Sequence, residues 1–136
     1  MSNEEIILRY WDARWNQRDP ALVSELLTPD ISFQSPHAKA SGLQEYGEVH
    51  AELLAAFTQT KVTIEELIEH GDKVATRVEL RGVHSGDSLG FPATGKPFRV
   101  TMMAIFRLQD GRIAEQYQTY DALDLVTQLG MEVVPA

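Results

Sequence analysis

The chain has 136 residues, a formal net charge of −8, 43% hydrophobic residues and no cysteine. At this length one domain buries close to ~70% of the surface of its unfolded chain, so a single domain spanning 1–136 is expected and a second does not fit. An acidic balance with scattered basic residues argues against nucleic acid and anionic membrane surfaces as partners, and the missing thiols exclude a disulfide framework, a thiolate zinc site and a cysteine nucleophile.

The opening MSNEEIILRYW is polar and acidic and returns to charge at Arg9, which reads as neither a secretion signal nor a transit peptide. No run approaches ~18 apolar residues, and a soluble, cytoplasmic protein is expected. Asn3 with Glu4 and Glu5 places a cap and two carboxylates at the positive end of a helix, and Ile7, Tyr10 or Trp11, and Trp15 carry its apolar stripe to about Gln17. Asp19 and Pro20 start a second short helix reaching Leu27, which Thr28-Pro29-Asp30 ends. Residues 31–34 read as a short strand and 36–42 as a loop carrying His37. From Leu43 the positions Tyr46, Val49, His50, Leu53, Leu54 and Phe57 recur at helical spacing and predict a third helix with one buried stripe.

The rest is mostly sheet, with strands expected over 61–69, 73–84, 98–108 and 112–120 and a closing helix over 121–130. Helices first and antiparallel strands afterwards mean α+β, with helices gathered on the concave face of a curved antiparallel sheet. Such a sheet makes a cone with one blind cavity. In the last hairpin, a three-residue loop with Gly111 left-handed pairs Leu108 with Arg112 and puts the even-numbered residues together. Met102, Ala104, Phe106, Ala114, Gln116, Gln118 and Tyr120 then form an apolar wall bearing a few amide and hydroxyl groups, as a pocket lining should. A two-residue type I′ turn would break this assignment. Met103, Ile105, Arg107, Glu115 and Tyr117 face solvent or a partner subunit.

Three motifs, Arg77-x-x-x-Arg81-Gly82-x-His84-x-Gly86, Pro92-Ala-Thr94-Gly95-Lys96 and Arg107-x-x-Asp110-Gly111-x-Ile113-x-Glu115, occur in an order that resembles the SnoaL-like polyketide cyclase and ester cyclase group of the nuclear transport factor 2-like superfamily. Trp15-Asn16 and Gln128-Leu129-Gly130 extend the similarity over nearly the whole chain. The resemblance implies a cone-shaped α+β barrel, a homodimer and, in the name-giving cyclases, an intramolecular aldol closure of a polyketide ester without a cofactor. There an aspartate on the last strand handles the proton, helped by a histidine on the strand before. Matching the Asp-Gly turns puts Gln118 at the aspartate position and Ala104 at the histidine position, so both proton carriers are absent.

Gln118 cannot take a proton, but its amide can donate a hydrogen bond to a carbonyl or enolate oxygen; alternatively it satisfies Gln116 or nearby backbone. His84 ends a strand whose even positions are apolar and is the best remaining base, or else a turn-stabilising hydrogen-bonder. His50, on the stripe of the third helix, reads as a core histidine or a pocket residue. Asp121 is either a third catalytic candidate or, more simply, the cap of the last helix. Trp15 and Phe33 are core or stack on a flat ligand, with Tyr120 as an orienting donor. Arg77, Glu79 and Arg81 form an exposed or interface charge row. No phosphate loop, serine elbow or metal-spaced histidine motif is present, so neither metal nor cofactor is expected. Two functions follow: a cofactor-independent cyclase, isomerase or hydrolase acting on a small hydrophobic carbonyl compound, or a non-catalytic protein that binds such a molecule.

Overall fold

The computed structural model describes residues 1–87, 92–132 and 134–135, so part of the expected 85–97 loop lies outside the described residues. The elements run α1 (Asn3–Trp11), a π-helical turn (Asp12–Asn16), α2 (Pro20–Glu25), β1 (Leu27–Ser35), β2 (Ala38–Ser41), α3 (Leu43–Ala56), β3 (Phe57–His70), β4 (Lys73–His84), β5 (Pro97–Gln109), β6 (Arg112–Tyr120) and α4 (Ala122–Gln128). The strands join as β2-β1-β6-β5-β4-β3 in one curved sheet. Four joins are antiparallel, as expected, and β1 lies parallel to β6. That one parallel join is possible because α3 and several strands separate the two in sequence, leaving ample chain for the return.

The inner face follows the strand period of two. Val74, Thr76, Val78 and Leu80 of β4 and Phe98, Val100, Met102, Ala104 and Phe106 of β5 are all buried. Helix α1 lies across them: Trp11 donates its indole N–H to Thr76 Oγ1 at 3.2 Å, and Tyr10 and Trp11 meet Phe106 edge-to-face at 5.5 and 5.8 Å. Each such aromatic pair adds about 1 kcal/mol beyond the area it buries. Among the described residues no helix is long and apolar enough to cross a membrane.

Several boundaries differ from expectation. The second helix stops at Glu25, and the segment containing Pro29 is already strand, accommodated by a register shift between Leu27 and Ser32. The expected 36–42 loop contains β2, a short edge strand that pairs Phe33 with Ala40. Strand β3 begins at Phe57 immediately after α3, four residues early, with Gln59 at φ 53° absorbing the irregularity.

The β5–β6 turn also departs from the expected bulged loop. Asp110 and Gly111 both have positive φ, 52° and 77°, so the turn is the two-residue form and Gln109 pairs with Arg112. The inward face survives because a bulge lies one pair deeper: Arg107 faces Glu115 and Leu108 faces Ile113, leaving Ala114 as the extra residue. Ile113 and Ala114 are therefore both buried, and from Phe106↔Gln116 onward even residues again meet even.

Candidate functional site

A hollow of about 610 Å³ lies between the sheet and α3. Buried Phe57, Leu80, Phe98, Val100, Met102 and Leu125 supply its apolar wall. Its polar lining consists of Ser35, His37, Glu52, Asp87, Gln118 and Tyr120, of which His37, Glu52 and Asp87 are exposed and mark the mouth. The volume suits a small-molecule ligand, as does an apolar wall with few polar groups.

The end of the first helix is built to deliver buried groups here. Gln17 N–H donates to the Asp12 carbonyl at 2.9 Å, five residues back, and this wider turn carries Ala13, Arg14 and Trp15 inside consecutively. Asn16 locks it, donating to Asp12 Oδ1 at 2.9 Å while its own oxygen accepts from Val62 N–H of β3 at 2.8 Å. Trp15 lines the hollow, and its indole N–H has no acceptor among the described residues.

Arg14, only 1% exposed, is a site residue that the sequence pattern alone did not single out. Its guanidinium rests against the rings of Trp15, Phe33 and Tyr46 at 5.3, 5.5 and 5.2 Å, and its Nη1 donates to Tyr46 Oη. Tyr46 meets Tyr10 Oη, Tyr10 donates to Gln116 Oε1, and Gln116 Nε2 donates to Gln118 Oε1 at 2.7 Å. A continuous hydrogen-bonded chain thus joins a buried cation to the wall of the hollow. Burial raises the pKa of Tyr10 and, more strongly, of Tyr46, so both remain phenols. Burial pushes the Arg14 guanidinium down, but its contacts with the two tyrosine oxygens outweigh that and leave it above the ordinary arginine value. The signal for this cluster was present: Arg14 follows Tyr10 by four and Trp11 by three, which sets it on the apolar stripe.

Of the residues singled out in the sequence, Trp15, Met102, Gln118 and Tyr120 line the hollow. Burial pushes the Tyr120 hydroxyl to about 12, so it stays a donor. Ala104 and Gln118 sit directly opposite each other in the sheet. Ala104, Phe106 and Gln116 are buried behind the lining, and Phe33 packs on Tyr46 at 5.5 Å and on the Arg14 cation. His50 is a core group whose Nε2–H donates to the Arg14 carbonyl at 3.2 Å, a carbonyl left open because the helix ends there. Burial, then the Arg14 charge, lowers its pKa to about 4 and keeps it neutral.

His84 is fully buried and is not part of the lining. Its Nδ1 accepts the Thr94 backbone N–H at 3.2 Å and lies 3.1 Å from Thr94 Oγ1, so the ring braces the returning loop with the nitrogen a base would use. Asp121 caps α4, its Oδ1 accepting from Asp124 N–H at 2.9 Å; it is exposed and away from the lining. His37, in the turn between β1 and β2, is exposed yet also lines the hollow, with its ring 5.8 Å from that of Tyr120. Among the described residues no His, Asp and Glu cluster is disposed to hold a metal ion.

The fold recurs in other proteins. IdmH from Streptomyces antibioticus superimposes with a TM-score of 0.82 at 29% identity, over 96% of this chain and 100% of that one. Aklanonic acid methyl ester cyclase DnrD of Streptomyces peucetius is 30% identical over 108 residues, 78% of this chain and 72% of its own. Aklanonic acid methyl ester cyclase DauD of Streptomyces sp. (strain C5) is 29% identical over 111 residues, 80% of this chain and 67% of its own. The family model for SnoaL-like polyketide cyclases matches residues 5–129, from the first turn of α1 to the residue after α4. With helices, sheet and hollow all inside that match, the chain belongs to the SnoaL-like polyketide cyclase family.

Proposed function

We propose that the chain is a cofactor-independent enzyme that closes a ring in a small, mostly apolar polycarbonyl compound. The observation that carries this reading is the apolar hollow with Gln118 and Tyr120 on one wall and His37 at its mouth. In the proposed step His37 removes a proton from the carbon between two carbonyls, and the electron pair moves onto oxygen as an enolate held by the Gln118 amide. The enolate carbon then attacks a third, more distant carbonyl of the same molecule. A carbon–carbon bond forms, the carbonyl π pair becomes an alkoxide, and the imidazolium returns the proton to it. No oxidant or reductant is required. His37 replaces His84 in the role of base because the His84 Nδ1 lone pair is already used by Thr94.

Aklanonic acid methyl ester, named for two relatives, is the first substrate to test. Its consumption by the wild type is expected, with a loss on the order of 100-fold in kcat/KM for Gln118→Leu and a loss on the order of 100-fold in kcat for His37→Gln. Binding without consumption of this or related polycarbonyl esters would contradict catalysis and favour the second reading, a carrier of hydrophobic carbonyl compounds. That reading draws on the same residues, since Gln118 stands at the family aspartate position and Ala104 at the histidine position.

A second copy of the chain is proposed to cover the outer sheet face. Ile68, Met103, Ile105 and Tyr117 are each at least half exposed there, bordered by the Arg77–Glu66 and Arg107–Glu115 ion pairs.

A further inference from the structure

Arg14 is a donor-only group at one end of a hydrogen-bonded chain, and only one direction of the protons along that chain leaves every hydroxyl and amide in it satisfied. Because Nη1 donates to Tyr46, the Tyr46 oxygen accepts and its own proton goes to Tyr10. The Tyr10 proton goes on to Gln116 Oε1, and Gln116 Nε2 donates to Gln118 Oε1. The Gln118 carbonyl is thereby occupied from within, and the end of its amide left for the hollow is Nε2–H. Turning both amides over would make Gln116 donate to Tyr10 and Tyr10 to Tyr46. The Tyr46 oxygen would then accept from both Tyr10 and Arg14, and its own buried proton would be left without an acceptor among its partners. No carboxylate among the described residues pairs with Arg14 to supply one.

We infer that Arg14 is a positioning residue that sets the hydrogen-bond polarity of the hollow, presenting Gln118 as a donor and selecting ligands with an acceptor oxygen that gains negative charge. Each link polarises the next, so the cation strengthens the terminal N–H without entering the hollow itself. This deepens the proposed function and rests on reading the hollow as a carbonyl site. Selectivity follows from the same polarity: a molecule of the same shape whose only polar group is an N–H meets a donor and is rejected.

Two bicyclic probes test it on the full chain, 1-indanone with only an acceptor and indole with only a donor. The wild type is expected to prefer 1-indanone. Arg14→Met and Tyr10→Phe, which free the two amides to turn, are expected to lower the indanone-to-indole affinity ratio on the order of tenfold. A ratio cancels a general loss of packing, which a merely structural Arg14 would cause, and Tyr10→Phe carries the test if Arg14→Met does not fold. A ratio unchanged in both folded variants overturns the inference. Ligand-free side-chain amide NMR supplies a separate arm: the Gln116 NH₂ protons are expected against Gln118, and finding them against the Tyr10 ring overturns the inference whether or not any probe binds. If the NMR arm succeeds and neither probe binds, the carbonyl-site reading fails while the direction of the chain stands.

Discussion

Gln118 has no acidic proton to exchange with a substrate, yet it lines the hollow and ends the hydrogen-bonded chain that begins at Arg14. Its partner Gln116 is fully buried, which requires both ends of that amide to be satisfied, and Tyr10 and Gln118 do so. The sequence shows the two glutamines on one face, but the direction of their bond depends on an arginine about 100 residues earlier. Such long-range pairing leaves no mark in local spacing. His50 gives a sharper test of this buried cluster. Its pKa lies near 4 in the folded chain, against ~6.5 for an unfolded imidazole. Between these values the unfolded chain binds more protons, so stability is full above about pH 6.5 and is lost as pH falls toward about 4. Between pH 7 and pH 5 this amounts to about 2 kcal/mol. Urea unfolding at the two pH values should show that loss in the wild type and a much smaller one in His50→Gln; equal losses would place the titration elsewhere.

Among the elements, the long periodic ones were legible and the short or irregular ones were not. Helix α3 and strands β4 to β6 declare themselves through spacing, whereas β2 is four residues of edge strand whose existence depends on β1 beside it. In the β5–β6 hairpin the expected turn type fails while the expected face holds, because the bulge at Ala114 compensates for the missing loop residue. Gly86 shows a different kind of constraint. Its backbone N–H donates to the Ala56 carbonyl at 3.0 Å, and a Cβ there would sit 2.3 Å from the Ala55 carbonyl oxygen. Both partners are backbone, so little can yield. Gly86→Ala should cost about 1–3 kcal/mol through this overlap and disturb the mouth, where Ala55 and Asp87 contribute lining. At Gly47, mid-helix in α3, an added methyl would meet no atom within 4 Å, and Gly47→Ala should instead stabilise. That gain is about 0.5–1 kcal/mol, from the smaller backbone entropy lost on folding. Opposite shifts in thermal melting check the pair, and a harmless Gly86→Ala would refute the close approach.

At the scale of the molecule, the α+β cone follows from helices that can bury one stripe each and strands that alternate. A closed core would be the ordinary result; here Tyr10, Trp11 and Phe106 interlock edge-to-face where α1 crosses the sheet, and the hollow lies against α3. The outer face keeps half-exposed Met103, Ile105 and Tyr117, as the odd-numbered register requires. If a second copy covers it, sedimentation at tens of micromolar (on the order of ordinary assay concentrations) gives a dimer and Met103→Glu shifts it to monomer; a wild-type monomer would count against the pairing. The most direct measurement is a crystal structure of the chain soaked with 1-indanone. The ketone is expected inside the hollow with its oxygen about 2.7–3.2 Å from Gln118 Nε2; a ketone bound only on the outer sheet, or seated inside with its oxygen turned away from Gln118, would contradict a hollow that presents a donor to carbonyl ligands.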